Sequence, residues 1–576
     1  MKFFHVYNEK YFDGLVKNNL INEDTGFKIQ HIFSMPDELK FNKFAAKGTK
    51  LHSIIKEGKI PFYVDRLSGG CTYHEYTFDK DLIREYENIL GKWFLGFQIH
   101  ESASNVHHEW RIIKDRLKGQ TGPFDVQFLK ENIMSDFATL PDGTLLPDLG
   151  HFSIEEIAKL KYPMSPEELM EQMKQLYKMR MEQTLGHLLP VDSYYLATKL
   201  DDELGMQTFM PEVGCQIGQM RVAVALARGM AENRNKMWGT YYETWMSSHK
   251  YGFTMPCFNT ELGNEWYLPQ DQHPDDFSTY GENGGSSRLL QKRIYYYSLM
   301  SGADYLGEEW GLNCSYKEMH GDFELSDYGL AKKDFIDFAR EHKTVKAHIP
   351  FAIVLPLEYE TVQIDWRGTP YKIGVPRENY LGYKLDDVRR ARIGHIEDVI
   401  KLFLGDREKE YGNEGHTIEN SRFGDLFDII YADESDEVLG KYEALIDASV
   451  DGDFFNEKSG KFRVFDGRDL EKLENDIKAL AKEILPVYVD DLHWLISKDA
   501  EGRRYLSIFN NEGNIRDFMI GNTIDHEADR RVKVSFKDSA NLNLVKYGND
   551  EIKVEKVDDK TYFVTVPATA FAIFEY

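Results

Sequence analysis

PFYVDR (residues 61–66) is a short apolar run that ends in two charged residues. DKDLIREYENILGK (79–92) follows it with apolar residues at helical spacing. A second apolar run, FLGFQIHE (94–101), begins two residues after the end of that segment and again ends in polar residues. A strand, a helix and another strand in this order are typical of a βα unit, in which the strands are parallel and the helix covers the sheet. This part of the chain therefore predicts an α/β fold.

The same alternation continues on both sides of this unit. Six further apolar runs, each followed by a helical segment, are predicted as strands: KFFHVY (2–7), KIQHIF (28–33), HLLPVDS (187–193), MQTFMPEVG (206–214), WGTYYETW (238–245) and YLGEEW (305–310). Together with the first two runs they make eight units, which predict a closed (β/α)8 TIM barrel over residues 1–342. Counts of seven or nine units are the alternatives.

The pattern changes after residue 342. HIPFAIVLP (348–356) begins a second set of apolar strands and helices, which predicts a flavodoxin-like parallel α/β domain over residues 343–489. From residue 490 onward, short strands alternate with a period of two, which predicts a small C-terminal β-sandwich over residues 490–576. The first strand of the middle domain lacks a glycine-rich phosphate loop, so no cofactor is expected there.

Composition limits the function classes. The 576 residues include 96 acidic and 70 basic ones, for a net charge of −26, which argues against nucleic acid or an anionic membrane as partner. The four cysteines have no CxxC spacing, which indicates free thiols in a reducing compartment. MKFFHVYNEK at the N-terminus lacks the apolar core of a signal peptide, and no apolar window is long enough for a membrane span. We therefore expect a cytoplasmic protein.

Carboxylates recur where the predicted barrel strands end, which is where barrel enzymes place reactive groups. Glu101 follows strand four and Glu243 lies near the end of strand seven, so the two can face each other across the barrel axis. Glycoside hydrolysis needs such a pair, because one carboxyl group protonates the leaving oxygen while the other attacks the anomeric carbon or activates water. Glu308 should point into the barrel wall beside Glu309, since neighbours on a strand alternate sides.

The placement of these glutamates resembles that of clan A glycoside hydrolases, which are retaining enzymes on (β/α)8 barrels. FQIHE differs from the clan in having His100 where asparagine usually precedes the acid/base, and Trp310 resembles the tryptophan that often ends strand eight. The three-part layout and the stretch ENSRFGDLFDIIYAD (419–433) are similar to family 42 β-galactosidases. This resemblance implies that Glu101 is the acid/base, that Glu243 is the nucleophile, and that the chain forms a homotrimer or another homo-oligomer.

We accordingly expect a retaining, exo-acting β-glycosidase that removes terminal sugars from oligosaccharides or small glycosides, without cofactor or metal. The following residues are expected to line its pocket: Asp65, Arg66, His100, Asn105, Asp192, Glu212, Tyr242, Trp245, Glu309 and Trp310. If the strand count is wrong, Glu212 or Glu309 takes one of the two catalytic roles.

Two other functions fit a barrel of this kind. A barrel aldolase or lyase would need a Schiff-base lysine or metal ligands at the strand ends, and Lys199 is the main candidate lysine. HESASNVHHE (100–109) does not have the HExxH spacing, so we expect no metal site in that segment. A carbohydrate-binding protein without catalytic activity is the second alternative.

Overall fold

A computed structural model describes most of the chain. The described residues are 1–9, 11–29, 40–65, 67, 76–100, 125–127, 131, 158–159, 166–192, 197–214, 219–248, 252–254, 284–309, 311–317, 322–357, 387–405, 418, 421, 423–517, 521–548 and 551–576.

The N-terminal part of the chain forms a closed barrel of eight parallel strands. In chain order they are β1 Lys2–Val6, β2 Thr25–Ile29, β3 Phe62–Val64, β4 Phe94–His100, β5 Leu188–Asp192, β6 Thr208–Gly214, β7 Met237–Glu243 and β8 Tyr305–Glu308. The barrel closes where β8 pairs with β1, with Tyr305 opposite Lys2. The predicted eight-stranded barrel is confirmed.

The start of the second strand was predicted wrongly. We expected it at residue 28, but β2 begins at Thr25, which pairs with Phe3 of β1. Thr25 and Gly26 are not strongly apolar, so an apolar run does not mark this start. The start of β2 is set by its backbone pairing with β1.

Helices cover the outside of the barrel. Those in the described part are α1 Phe12–Lys17, α2 Lys50–Gly58, α3 Lys80–Leu90, α4 Pro166–Gln183, α5 Ala197–Glu203, α6 Met220–Asn233, α7 Arg288–Met300, α8 Gly311–Ser315 and α9 Asp327–Glu341. Short polar side chains begin several of them: Asp79 accepts hydrogen bonds from the backbone at the start of α3, and Ser287 does so for α7. The described residues after β7 also form a hairpin of Met246–Ser248 and Gly252–Thr254.

Side chains inside the barrel change from apolar to polar along the strands. The interior is packed with apolar and aromatic side chains, namely Phe4, Tyr63, Leu95, Leu189, Val191, Met210, Met237, Tyr241 and Tyr305. Charged groups replace them towards the C-terminal ends of the strands, where Asp65 and Glu243 are buried. The interior is therefore a solid core that ends in a polar mouth.

A second parallel sheet follows the barrel, as predicted. Its strands are β9 Phe351–Leu355, β10 Phe427–Tyr431, β11 Ala444–Asp447 and β12 Val464–Asp466, arranged in the order β10-β9-β11-β12. The helices that alternate with them are α10 Asp387–Leu404, α11 Asp436–Leu439, α12 Asp453–Lys458 and α13 Leu470–Ile484. All pairings in this sheet are parallel, which gives the middle of the chain a doubly wound α/β fold.

The C-terminal region is antiparallel. A five-stranded sheet contains Lys346–Ala347, His493–Lys498, Arg504–Phe509, Phe571–Glu575 and Asn543–Tyr547. A four-stranded sheet contains Val487–Val489, Arg530–Phe536, Thr561–Val566 and Lys553–Lys556, and a hairpin joins Asn514–Asp517 to Gly521–Ile524. Each of the two larger sheets includes one short strand from before residue 490, Lys346–Ala347 in the first and Val487–Val489 in the second. The domain boundaries at 342/343 and 489/490 stay predictions.

Buried ion pairs join the barrel to the other two regions. Arg221 and Arg228 lie one heptad apart on α6, so they share a face of that helix, which packs against β10. Arg221 contacts Asp425 at 3.0 Å and Arg228 contacts Asp428 at 2.7 Å. His493 completes the first contact from the C-terminal region, with Nε2 3.1 Å from Asp425 Oδ2. The three regions therefore meet around buried charges.

Among the described residues, no helix combines the length and the apolar character needed to cross a membrane.

Candidate active site

Three predicted pocket residues converge at the mouth of the barrel. His100 ends β4, Glu212 lies near the end of β6, and Glu309 directly follows β8. One ligand-type atom from each of the three lies within 4.8 Å of the others, and all three side chains are buried. Residues far apart in sequence are thus brought together as the barrel prediction requires.

Glu243 is the last residue of β7 and is fully buried. Tyr241, two residues earlier, faces the barrel interior, so Glu243 faces the same way. Gly214 is its register partner on β6. A Cβ atom at residue 214 would lie 2.5 Å from Glu243 Cβ and 3.1 Å from its carboxyl carbon, so the missing side chain gives Glu243 its room. The structure therefore places Glu243 at the mouth.

Tyr242 does not line this mouth, and that prediction is wrong. Its ring lies on the outer face of the barrel, 5.7 Å from the ring of Tyr295 and stacked on Tyr328 at 6.4 Å. Its hydroxyl group hydrogen-bonds with that of Ser286. Successive strand residues point to opposite faces, so Tyr241 and Tyr242 cannot both face the interior.

The two glutamates at the end of β8 have different surroundings. Glu308 points into the wall as predicted: Lys332 Nζ lies 2.5 Å from its Oε2, and the Tyr328 hydroxyl group donates to its Oε1 at 2.6 Å. Glu309 accepts a hydrogen bond of 2.6 Å from the indole Nε1 of Trp245. Glu308 is therefore part of the packing between strands and helices, while Glu309 belongs to the mouth.

Lys28 is a site residue that the sequence did not reveal. Its side chain on β2 is fully buried, Nζ lies 2.7 Å from Asp65 Oδ2, and the Tyr241 hydroxyl group donates to Asp65 Oδ1 at 3.1 Å. Nζ also lies 5.1 Å from the centre of the Tyr241 ring, whose edge packs against His100. Burial lowers the pKa of Lys28 below its usual value, although Asp65 opposes this shift.

A signal for Lys28 exists in hindsight. A lysine at the fourth of the five positions of TGFKI, inside a strand of a parallel sheet, is unusual because both faces of such a strand are buried. Our predicted strand began at residue 28, which put Lys28 at the opposite end of the strand from the mouth. The register error of β2 therefore hid the residue.

The other predicted residues divide into two groups. Glu101, Arg66, Asn105 and Trp310 lie outside the described residues, and Asp192 is described only as the last backbone position of β5. Lys199 is described but does not face the mouth, because its Nζ lies 2.9 Å from Asp433 of the second α/β region. Lys199 therefore does not support a Schiff-base site in the barrel.

The fold and the mouth together define a (β/α)8 barrel with a buried acidic centre. Such a centre offers a nucleophile, proton donors and acceptors, and ligands for sugar hydroxyl groups or a cation. Three strand ends that neighbour each other in the barrel, β6, β7 and β8, each bring one glutamate to it.

Comparisons with known proteins give only weak likenesses. No family model matches the chain, and no curated protein matches it. Among solved structures, α-L-fucosidase isoenzyme 2 from Paenibacillus thiaminolyticus is 8% identical with a TM-score of 0.42, over 99% of this chain and 96% of that one. A β-galactosidase from Rahnella sp. R3 is 9% identical with a TM-score of 0.39, over 100% and 98% of the two chains. GH5_18 from Streptomyces cattleya is 11% identical with a TM-score of 0.33, over 81% and 99%.

Proposed function

We propose that this protein is a retaining, exo-acting β-glycosidase in which Glu243 is the nucleophile and Glu101 the acid/base. The observation that carries the proposal is the position of Glu243: a buried carboxylate at the C-terminal end of β7, facing the barrel interior, with space provided by Gly214. Glu101 directly follows β4, which ends at His100 in the same mouth. A retaining pair would stand about 5–5.5 Å apart.

The proposed reaction has two displacements. In the first, a carboxylate oxygen of Glu243 bonds to the anomeric carbon while the glycosidic C–O bond breaks, and the proton of Glu101 goes to the leaving oxygen. In the second, a water oxygen bonds to the same carbon while the bond to Glu243 breaks, and the water proton returns to Glu101. The released sugar keeps its anomeric configuration.

The surroundings of the pair support a sugar as substrate. Trp245 is half-buried beside Glu309 and offers an apolar ring next to a carboxylate, a combination that suits the apolar face and the hydroxyl groups of a pyranose. The interior beneath the mouth is filled by Tyr63, Tyr241 and their apolar neighbours. A substrate therefore reaches the proposed catalytic pair from the C-terminal end of the barrel.

Azide rescue tests the assignment of the nucleophile. Glu243→Gly should abolish turnover of an aryl β-galactoside, and added azide should restore it with a glycosyl azide of inverted configuration as product, because azide replaces the missing carboxylate. Glu212→Gly and Glu309→Gly are the matched variants, and azide should not rescue either of them. Rescue of one of these two instead of Glu243→Gly would refute the assignment.

The same assay tests the acid/base. Glu101→Gln should reduce turnover strongly for substrates with poor leaving groups and weakly for activated aryl glycosides, which need little protonation. Sugar binding without hydrolysis across a panel of aryl glycosides would instead support a carbohydrate-binding protein.

A barrel lyase is the second candidate, and Lys28 favours it. A buried lysine with a lowered pKa is suited to Schiff-base formation, although the contact with Asp65 keeps its nitrogen occupied. Borohydride treatment in the presence of small aldoses and ketoses, followed by peptide mass mapping, would trap a covalent adduct on Lys28 if the lyase were correct. No adduct is expected from the glycosidase.

A further inference from the structure

His100, Glu212 and Glu309 form a cluster of one imidazole and two carboxylates. The two proposed catalytic glutamates of the glycosidase do not require such a cluster. Its three donor atoms lie within 4.8 Å of one another, and each residue is more than nine-tenths buried. The three come from β4, β6 and the end of β8, so rigid strands rather than one loop hold them. Rigid elements position ligands more accurately than loops do.

The distances suit a shared cation better than direct contact. His100 Nε2 lies 3.7 Å from Glu212 Oε1, which is beyond a good hydrogen bond but close to the spacing of two ligands on one metal ion. Imidazole nitrogen and carboxylate oxygen are both ligands of Zn²⁺ and Mn²⁺. The three donor atoms therefore lie close enough together to share one metal ion.

The surrounding contacts have the form of an outer ligand shell. The indole of Trp245 donates to Glu309 Oε2 and so orients that carboxylate. The ring of Tyr241 packs edge-on against the imidazole of His100 at 5.7 Å and limits its rotation. Outer contacts that fix ligand orientation are typical of metal sites.

We infer that His100, Glu212 and Glu309 form a binding site for one divalent transition-metal ion such as Zn²⁺ or Mn²⁺. This site does not depend on the proposed glycosidase activity. In a glycosidase, a cation there would hold hydroxyl groups of the sugar beside Glu243, and that consequence alone rests on the proposed function.

Metal binding by the full chain tests the site directly. Protein freed of metal with a chelator is titrated with Zn²⁺ and Mn²⁺ by calorimetry, and the expected stoichiometry is one ion per chain. His100→Ala, Glu212→Gln and Glu309→Gln should each weaken binding by more than about 100-fold, because the loss of even an outer partner costs about 10–100-fold. His187→Ala is the matched control and should leave binding unchanged, since His187 lies 3.7 Å from Glu87 and belongs to no group of three potential ligands in the described part of the chain.

A spectroscopic measurement on the unaltered protein covers variants that fail to fold. The electron paramagnetic resonance spectrum of the Cu²⁺-loaded chain should show coupling to one imidazole nitrogen. The site is refuted if no ion binds, if the three variants bind as the unaltered chain does, or if no nitrogen coupling appears. Glycosidase assays on the same metal-free and metal-loaded samples distinguish the metal site from the proposed function. Metal binding without hydrolysis refutes only the glycosidase. Hydrolysis without metal binding refutes only the metal site.

Discussion

Gly214→Ala should reduce the proposed glycosidase activity by displacing Glu243, the proposed nucleophile, rather than by unfolding the barrel. A Cβ atom at this position would stand 2.5 Å from Glu243 Cβ, about 1 Å short of ordinary van der Waals contact. Either β6 and β7 separate or the Glu243 side chain moves by a similar amount. A shift of about 1 Å in a reacting group costs about 100-fold in rate, while the overpacking itself costs about 1–3 kcal/mol of unfolding free energy.

The assay compares kcat on an aryl glycoside with the free energy of unfolding in urea. The matched control is Gly239→Ala. Gly239 lies on β7 four residues before Glu243, and a Cβ atom there would stand 2.4 Å from Tyr305 and far from the mouth. Gly239→Ala should lose stability but keep kcat in its folded fraction, whereas Gly214→Ala should lose kcat. A fully active Gly214→Ala variant, or an equal loss of kcat in both variants, would show that Glu243 is not the displaced catalytic group.

Two further predictions concern buried charges. Lys28→Met should lower the free energy of unfolding by about 3–5 kcal/mol, because it leaves Asp65 buried without its cation. In urea unfolding, the double variant Lys28→Met/Asp65→Asn should recover most of that loss. A double variant that is as unstable as Lys28→Met would contradict this prediction. Burial and the nearby Arg221 lower the pKa of His493 from 6.5 to about 4. Between about pH 4 and pH 6.5 the folded state therefore binds fewer protons than the unfolded state. The free energy of unfolding should consequently fall as the pH drops from about 6.5 to about 4. His493→Gln should flatten this part of the curve measured by urea unfolding at stepped pH, and an unchanged slope would count against the assignment.

The architecture was predictable because it follows from repetition. Eight apolar runs, each followed by a helical segment, fix the number of strands even where a boundary is misplaced, as at Thr25. The change from parallel to antiparallel pairing near the C-terminus also appears as a change of period from near-continuous apolar runs to alternation. Local pattern was sufficient here because each strand can be recognised without its partners.

The site was less predictable because it depends on register. Glu212 and Glu309 were expected at the mouth and lie there, since strand ends alone placed them. Tyr242 was misplaced because its sequence neighbour Tyr241 takes the interior position, and the sequence does not say which of two adjacent tyrosines faces inward. Lys28 was missed because its orientation follows from pairing with β1 and β3, which are contacts between distant parts of the chain.

The buried pairs on α6 also restrict how this chain can be recombined. Arg221 and Arg228 belong to the barrel in sequence, but the carboxylates that compensate them come from residues 425 and 428, some two hundred positions later. A barrel cut out by itself would expose both guanidinium groups on an apolar helix face and lose these two aspartates. A chimaera that exchanges the barrel must therefore take both aspartates from the same parent, although they lie far outside the barrel in the sequence.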